Sequence, residues 1–203
     1  MTQLLFQSAL AAFDKANSED PNIEVFNGTE FPKELLYALR MTELQEIYAP
    51  EATETLKLAV RAQHIQRWKS PRNDFPMDRQ GYLQWRTGLY KFHAETAGNL
   101  MKSVGYDDVS IERVKSNIGK KGIKVNPETQ LTEDIAGLVF IEYYMLDFAT
   151  NHPEYNEDKW IQIIKKTWQK MSPRAHEFVL AGKIKLPESL IPLILKAIQP
   201  NIG

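Results

Sequence analysis

The chain has 203 residues, of which 43% are hydrophobic and 25% charged, and its formal net charge at pH 7 is −1. This length and composition are typical of one globular domain, whereas general nucleic-acid binders and membrane-surface proteins need a basic excess. The absence of cysteine from the sequence excludes disulfides, thiol nucleophiles and zinc–thiolate sites. The chain shows neither a signal-peptide pattern nor an apolar run of the roughly 20 residues that span a membrane. We therefore expect a soluble, cytoplasmic protein.

Apolar residues recur at helical spacing from the start of the chain. After a first helix, residues 17–32 are interpreted as a polar loop, with Pro21 and Gly28 as breakers. A second helix is predicted over residues 33–48. A third is predicted from Pro50 to Trp68, because proline is well tolerated in a first helical turn.

The rest of the chain is also predicted to be helical. Helices are predicted over about 80–104, 108–118, 132–150, 158–170, 173–180 and 187–198. Gly105 is expected to end the first of these helices, and Thr132 to cap the most apolar one. No convincing alternating strand or internal repeat is present. The prediction is an all-α, bundle-like single domain over residues 1–203.

Two of the four histidines are the main candidates for reactive groups. His152 and His176 stand at helix ends and are interpreted as structural. His64 is expected near the buried face of the third helix, and His93 borders an apolar face of the next. A histidine on such a face is more often a hydrogen-bonded core residue than a ligand, so this structural role stays as an alternative for both.

The segment HAETAGNLMKSVGY, which begins at His93, resembles a helix of HD-domain phosphohydrolases. AVRAQHI is similar to the segment that carries their His-Asp doublet, with Gln63-His64 in its place. GLVFIEYYMLDF is similar to the helix that carries their last metal-binding aspartate, and Glu142 stands at that position. The resemblance covers about residues 33–150 and implies an HD-like helical core.

The HD resemblance also implies chemistry. His64, His93 and Glu142 would be the metal ligands and catalytic groups of a hydrolase that uses a divalent metal such as Fe, Mn, Ni or Zn. Tyr37 replaces the first histidine of the superfamily pattern, and lysines replace a later one. A lysine opposes a metal electrostatically, so a metal-free module that binds a nucleotide or RNA is the alternative function.

The string HIQRWKSPRNDFPMDRQGYLQWR, with YKFHAE and IEYY, resembles a bacterial and fungal family defined as a domain of unknown function. Some members are described as glutamyl-tRNA synthetase-like. QHIQ and KMSPR are faintly similar to the synthetase HIGH and KMSKS signatures. Those signatures belong to a parallel α/β sheet, whereas both segments here lie in helical sequence, so we reject a synthetase function.

A basic, aromatic run joins the two histidine-bearing segments. Between Arg61 and Lys91, seven basic residues stand against two acidic ones, which gives a local net charge of +5. Guanidinium groups stack on aromatic rings and bind phosphate or carboxylate in a bidentate manner. The run therefore predicts a pocket for an anionic ligand, although a solvated face with weak surface ion pairs is the alternative. The residues predicted to bind this ligand are Arg67, Trp68, Arg72, Arg79, Arg86, Lys120 and Lys121.

The size of the basic run indicates the kind of ligand. DNA binding collects many phosphate contacts over a large basic face, whereas a single +5 segment suits a compact phosphorylated metabolite or nucleotide. RNA is the alternative partner, because unpaired bases stack on aromatic and arginine planes. The functional hypothesis is an HD-like hydrolase of such a phosphorylated compound, with a degenerate metal site.

Overall fold

A computed structural model describes residues 2–198 and confirms the all-α prediction, apart from one short hairpin. The described helices are α1 (Thr2–Asn17), α2 (Lys33–Tyr48), α3 (Glu54–Arg61), α4 (Arg79–Val104), α5 (Asp108–Ile118), α6 (Pro127–Val139), α7 (Met145–Thr150), α8 (Glu157–Lys170), α9 (Pro173–Leu180) and α10 (Ile191–Ile198). None of these helices combines the length and apolar character needed to cross a bilayer.

The contacts divide the chain into two compact units, with the boundary between Thr132 and Glu133. This boundary lies within α6. The predicted single domain over residues 1–203 stays a prediction, and its first and last residues lie outside the described part of the chain.

The interpretation of residues 17–32 as a loop was wrong, because strands β1 (Ile23–Phe26) and β2 (Thr29–Pro32) form an antiparallel hairpin there. Asn27 and Gly28 have φ values of +51° and +76°. Positive φ at both central residues defines the type I′ turn, whose twist matches that of paired strands. The Asn-Gly pair was therefore a hairpin signal in the sequence.

The first unit has a core built from α1, α3, α4 and α5. Phe13, Leu58, Met101 and Ile118, one from each helix, are fully buried in one apolar cluster. Burial of such side chains is worth about 1.5–3 kcal/mol each. This core holds α3, which precedes the turn that contains His64, and α4, which carries His93.

The third helix is shorter than predicted. It begins after Thr53, whose hydroxyl accepts a hydrogen bond from the Leu56 N–H, and it ends at Arg61. Beyond it, the Gln66 N–H donates to Asn17 Oδ1 (2.9 Å), and Gln66 has a φ of +52°. His64 therefore lies in a turn and not on a helix, since the bond to Asn17 of α1 replaces a helical one.

The prediction of Thr132 as a helix cap was wrong, because α6 already begins at Pro127. Proline is favoured in a first turn, and Asn126 Oδ1 accepts hydrogen bonds from the N–H groups of Glu128 and Thr129 (3.0 and 3.4 Å). The apolar helix predicted to reach residue 150 is also interrupted by a π-helical turn at Phe140–Tyr144.

The second unit contains the shorter helices at the end of the chain, and α8 packs against α10 within it. Ser172 caps α9, since its hydroxyl accepts a hydrogen bond from the Ala175 N–H. The Asp134 carboxylate accepts hydrogen bonds from both the N–H and the hydroxyl of Ser172 (2.7 and 2.6 Å). This contact fixes the start of α9 against α6.

Candidate anion-binding site

A cavity of about 210 Å³ lies in the first unit between α4 and two turns. The turn after α3 supplies Gln63, His64 and Arg67, and the turn after α5 supplies Lys120. One face of α4 forms the remaining wall, through Tyr82, Trp85, Arg86, Leu89, Tyr90 and His93.

The cavity lining is strongly basic. Arg67, Arg86 and Lys120 all line it, and none of the lining residues is an aspartate or glutamate. This lining favours an anion over a cation as the occupant.

Arg86 is held in place by two tyrosines of its own helix. Its Nε donates to the Tyr90 hydroxyl oxygen (2.7 Å), and its NH1 donates to the Tyr82 hydroxyl oxygen (3.1 Å). Burial opposes the charge on Arg86, but these contacts outweigh burial and raise its pKa above the ordinary value. The two bonds use two of the five N–H donors of the guanidinium group.

Arg67 contacts both the aromatic wall of the cavity and His64. Its guanidinium carbon lies 5.1 Å from the centre of the Trp85 ring, a cation–π contact. The Trp85 Nε1–H donates to the Ser70 carbonyl (2.8 Å), which fixes the ring. Arg67 NH1 lies 3.2 Å from His64 Nε2. Because arginine only donates, this nitrogen is the acceptor, and the proton of neutral His64 is on Nδ1.

His64 lies between Arg67, Tyr37 and Glu34. Its ring stacks on Tyr37 at 4.1 Å between centroids, and its Nδ1 is 3.6 Å from Glu34 Oε2. Burial, with the charges of Arg67 and Lys120, holds the pKa of His64 well below its usual 6.5. His64 is therefore a neutral imidazole at physiological pH.

Glu34 is a buried acid that the sequence prediction missed. Glu34 lies in the first turn of α2, where Asp20 Oδ2 accepts a hydrogen bond from the Glu34 N–H (3.0 Å). Burial raises the pKa of the Glu34 carboxyl from 4.5 to about 7, although the charge of Arg67 opposes this rise. The Glu34–His64 contact is therefore, below that pH, a pair of neutral groups and not a salt bridge.

His93 lines the cavity and has one buried ring nitrogen without a hydrogen-bond partner among the described residues. Its Nδ1 lies 2.8 Å from the Ile65 carbonyl oxygen, so Nδ1 carries the proton and Nε2 is an acceptor. Only 2% of the residue is exposed, and Nε2 has no hydrogen-bond partner among the described residues. Burial, reinforced by His64, lowers the pKa of His93 from 6.5 to about 3.

The other residues predicted to bind the anion do not line this cavity. Arg72 donates to the carbonyls of Phe75 and Asp78 within its own loop. Arg79 and Lys121 are exposed to solvent, and Trp68 lies beside Lys69. Their assignment to the ligand stays a prediction that the geometry of this cavity does not support.

The aromatic wall belongs to the predicted basic, aromatic run, although Trp68 was the only aromatic residue of that run predicted to bind the ligand. Its six α4 residues follow one another at intervals of 3, 1, 3, 1 and 3 positions, which is the spacing of a single helical face. That pattern was visible in the sequence. It indicates that Tyr82, Trp85 and Tyr90, and not Trp68, accompany the arginines.

Glu142 lies in the second unit, whereas both candidate histidines belong to the first. In the π-helical turn, its Oε1 accepts a hydrogen bond from the Lys185 N–H (3.2 Å). Across residues 2–198, no group of three or more histidines and carboxylates is arranged to hold a metal ion.

The donor set around His64 also fits a metal poorly, since Arg67 occupies its Nε2. The implied Fe, Mn, Ni or Zn site therefore stays a prediction from the HD resemblance, and we assign no chemistry to a metal.

Fold and cavity together define a class: a predominantly α-helical protein with a basic, aromatic-walled cavity in its first unit. A family model described as "Domain of unknown function (DUF4202)" matches residues 7–194. The chain belongs to this family. Searches of curated proteins and of solved structures returned no match. The HD-domain resemblance accordingly stays a prediction.

Proposed function

We propose that the first unit binds a phosphorylated small molecule, with the phosphate held by Arg67, Arg86 and Lys120. The observation that carries this proposal is the convergence of the three cations on one cavity whose lining contains no carboxylate. Arginine suits phosphate, since its planar donors match two phosphate oxygens at once.

The dimensions of the cavity favour a small ligand. Its volume of about 210 Å³ is below the roughly 300–1,000 Å³ of cavities that enclose drug-sized ligands. Single-stranded RNA is bound by stacking successive bases on aromatic side chains, whereas one face of the Trp85 ring here is already in contact with Arg67. RNA as a partner is therefore less well supported than a phosphomonoester.

Calorimetric titration with inorganic phosphate tests the proposal. Replacing Arg86 with Met should weaken binding about tenfold or more, because charge-assisted hydrogen bonds are the strong ones. The matched control is Arg79→Met, which removes the same charge from an exposed position outside the cavity. Equal affinities in the two variants, both of them folded, would remove the cavity from consideration as the phosphate site.

Hydrolysis of the bound phosphoester is a second candidate, favoured by the position of His64. Its protonated Nδ1 faces the Glu34 carboxyl, and its ring reaches the basic side of the cavity. A neutral histidine is a common general base, and Nε2 would serve in this role once Arg67 turned from it to the phosphate. In this reaction, water would attack phosphorus, and the ester oxygen would leave with a proton as the alcohol.

Phosphate release from p-nitrophenyl phosphate and from nucleoside monophosphates tests the hydrolase. Wild-type turnover that is lost in His64→Gln, while phosphate affinity persists, would support it. Binding of these esters without any release of phosphate would favour the non-catalytic module.

A further inference from the structure

We infer that the ligand carries a hydroxyl group beside its phosphate, and that this hydroxyl donates a hydrogen bond to Nε2 of His93. The inference rests on the proposed function and names the ligand class, a hydroxyl-bearing phosphomonoester such as a polyol or sugar phosphate. Its starting point is the buried, unpaired nitrogen of a residue that lines the cavity.

The chemical role of this nitrogen follows from the contact on the other side of the ring. The Ile65 carbonyl accepts from Nδ1, which leaves Nε2 as an acceptor in the neutral ring. An acceptor that is buried without a donor costs stability, so such atoms are normally paired. No donor among the described residues reaches Nε2, and the ligand is then the natural source of one.

The surrounding charges restrict the kind of donor. Burial, with the charge of Arg67, disfavours a proton on His93, so the ring stays an acceptor at neutral pH. An ammonium donor on the ligand would meet the same positive field from Arg67, Arg86 and Lys120. The donor is accordingly uncharged, and a hydroxyl is the uncharged donor that fits beside a phosphate in a small cavity.

A second acceptor points the same way. Gln63 also lines the cavity, is 2% exposed, and has a side-chain oxygen without a partner. A ligand with more than one hydroxyl would pair both acceptors. Leu89 and the aromatic wall would cover its carbon atoms.

Matched ligands provide the test. Inorganic phosphate reports on the cation cluster alone, whereas glycerol 3-phosphate and propyl phosphate differ in the presence of two hydroxyl groups. We expect wild type to bind glycerol 3-phosphate about tenfold more tightly than propyl phosphate, as for one or two well-formed hydrogen bonds.

Two substitutions of His93 distinguish the role of Nδ1 from that of Nε2. In His93→Asn the side-chain amide can still donate to the Ile65 carbonyl, but no acceptor remains at the position of Nε2. The preference for glycerol 3-phosphate should fall to within about twofold, while affinity for inorganic phosphate is kept. In His93→Gln the side-chain oxygen reaches toward the position of Nε2, and we expect part of the preference to return.

A spectroscopic measurement on wild type does not depend on a variant that folds. The ¹⁵N resonance of His93 Nε2 should shift when glycerol 3-phosphate is added and stay in place with propyl phosphate. Equal responses, or equal affinities for the two esters, would overturn the inference and leave phosphate binding intact. If neither inorganic phosphate nor any ester binds, both the inference about the hydroxyl group and the proposed phosphate-binding function are refuted.

Discussion

Replacing Glu34 with Gln should change how the stability of the protein depends on pH. The Glu34 residue is 7% exposed, and burial raises its carboxyl pKa from 4.5 to about 7. The folded state thus favours the protonated acid. The stability contributed by this neutral group is fully present below pH 4.5 and is lost as the pH rises through about 7.

The size of this effect follows from the pKa. One pKa unit corresponds to about 1.4 kcal/mol. Ionisation of Glu34 between pH 4.5 and 8 therefore lowers the free energy of unfolding of the wild type by about 3 kcal/mol. Glutamine resembles the protonated acid and does not titrate. Relative to wild type, the Glu34→Gln protein should therefore gain about 3 kcal/mol in the free energy of unfolding across this range.

Urea denaturation followed by circular dichroism, at several pH values, measures this difference. His64 and His93 have lowered pKa values, so the stability that they contribute is present above pH 6.5 and lost as the pH falls. Because both proteins contain them, this opposing dependence largely cancels. Glu46→Gln removes the same charge from an exposed site on α2 and is the control. A difference between wild type and Glu34→Gln that stays constant with pH would refute the assignment of a buried, protonated Glu34.

Two further predictions concern the scaffold of the cavity. A Cβ at Gly81 would lie 2.0 Å from the Pro76 carbonyl oxygen, whereas one at Gly88 of the same helix would meet nothing within 4 Å. Thermal melts should therefore show Gly81→Ala to be destabilised by about 3 kcal/mol and Gly88→Ala to be stabilised by up to about 1 kcal/mol; similar melting temperatures would contradict this packing. Asn17→Ala removes the acceptor of the Gln66 N–H and should lower the free energy of unfolding, measured by urea denaturation, by about 1 kcal/mol. An unchanged midpoint would show that water accepts this hydrogen bond equally well.

The helix ends that were predicted well are those set by local sequence. Gly105 ends α4 with a φ of +102°, a conformation in which glycine has no Cβ penalty. Asp107 caps α5 by accepting from the Ser110 N–H at 2.8 Å. Both signals lie within three residues of the helix end that they determine, so the sequence alone is sufficient to read them.

The features that were missed depend on distant partners or on weak patterns. The end of α3 depends on Asn17 and His93, which are far away in the sequence. The hairpin lacked an alternating pattern because three of the four residues of β1 are exposed. Glu34 could not be paired with His64 from spacing, since thirty positions separate them and only the fold brings them within 3.6 Å.

The predicted ligand-binding residues divide for a similar reason. Arg67, Arg86 and Lys120 do converge on one cavity, as their charge and position indicated. Arg72 has the same charge, but its guanidinium group donates to carbonyls of its own loop. Local charge density predicts that a basic site exists, and only backbone geometry decides which cations remain directed toward it.

The carboxylate-free lining of the cavity also determines how the protein responds to simple salts. Because none of the described lining residues is an aspartate or glutamate, the basic cavity attracts chloride or sulfate from the medium. A phosphorylated ligand must then displace these ions and not merely water. Its apparent affinity should fall as the concentration of competing anions rises, more steeply for divalent sulfate than for chloride, whereas general screening depends on ionic strength alone. The identity of the anion in solution thus becomes part of the binding equilibrium.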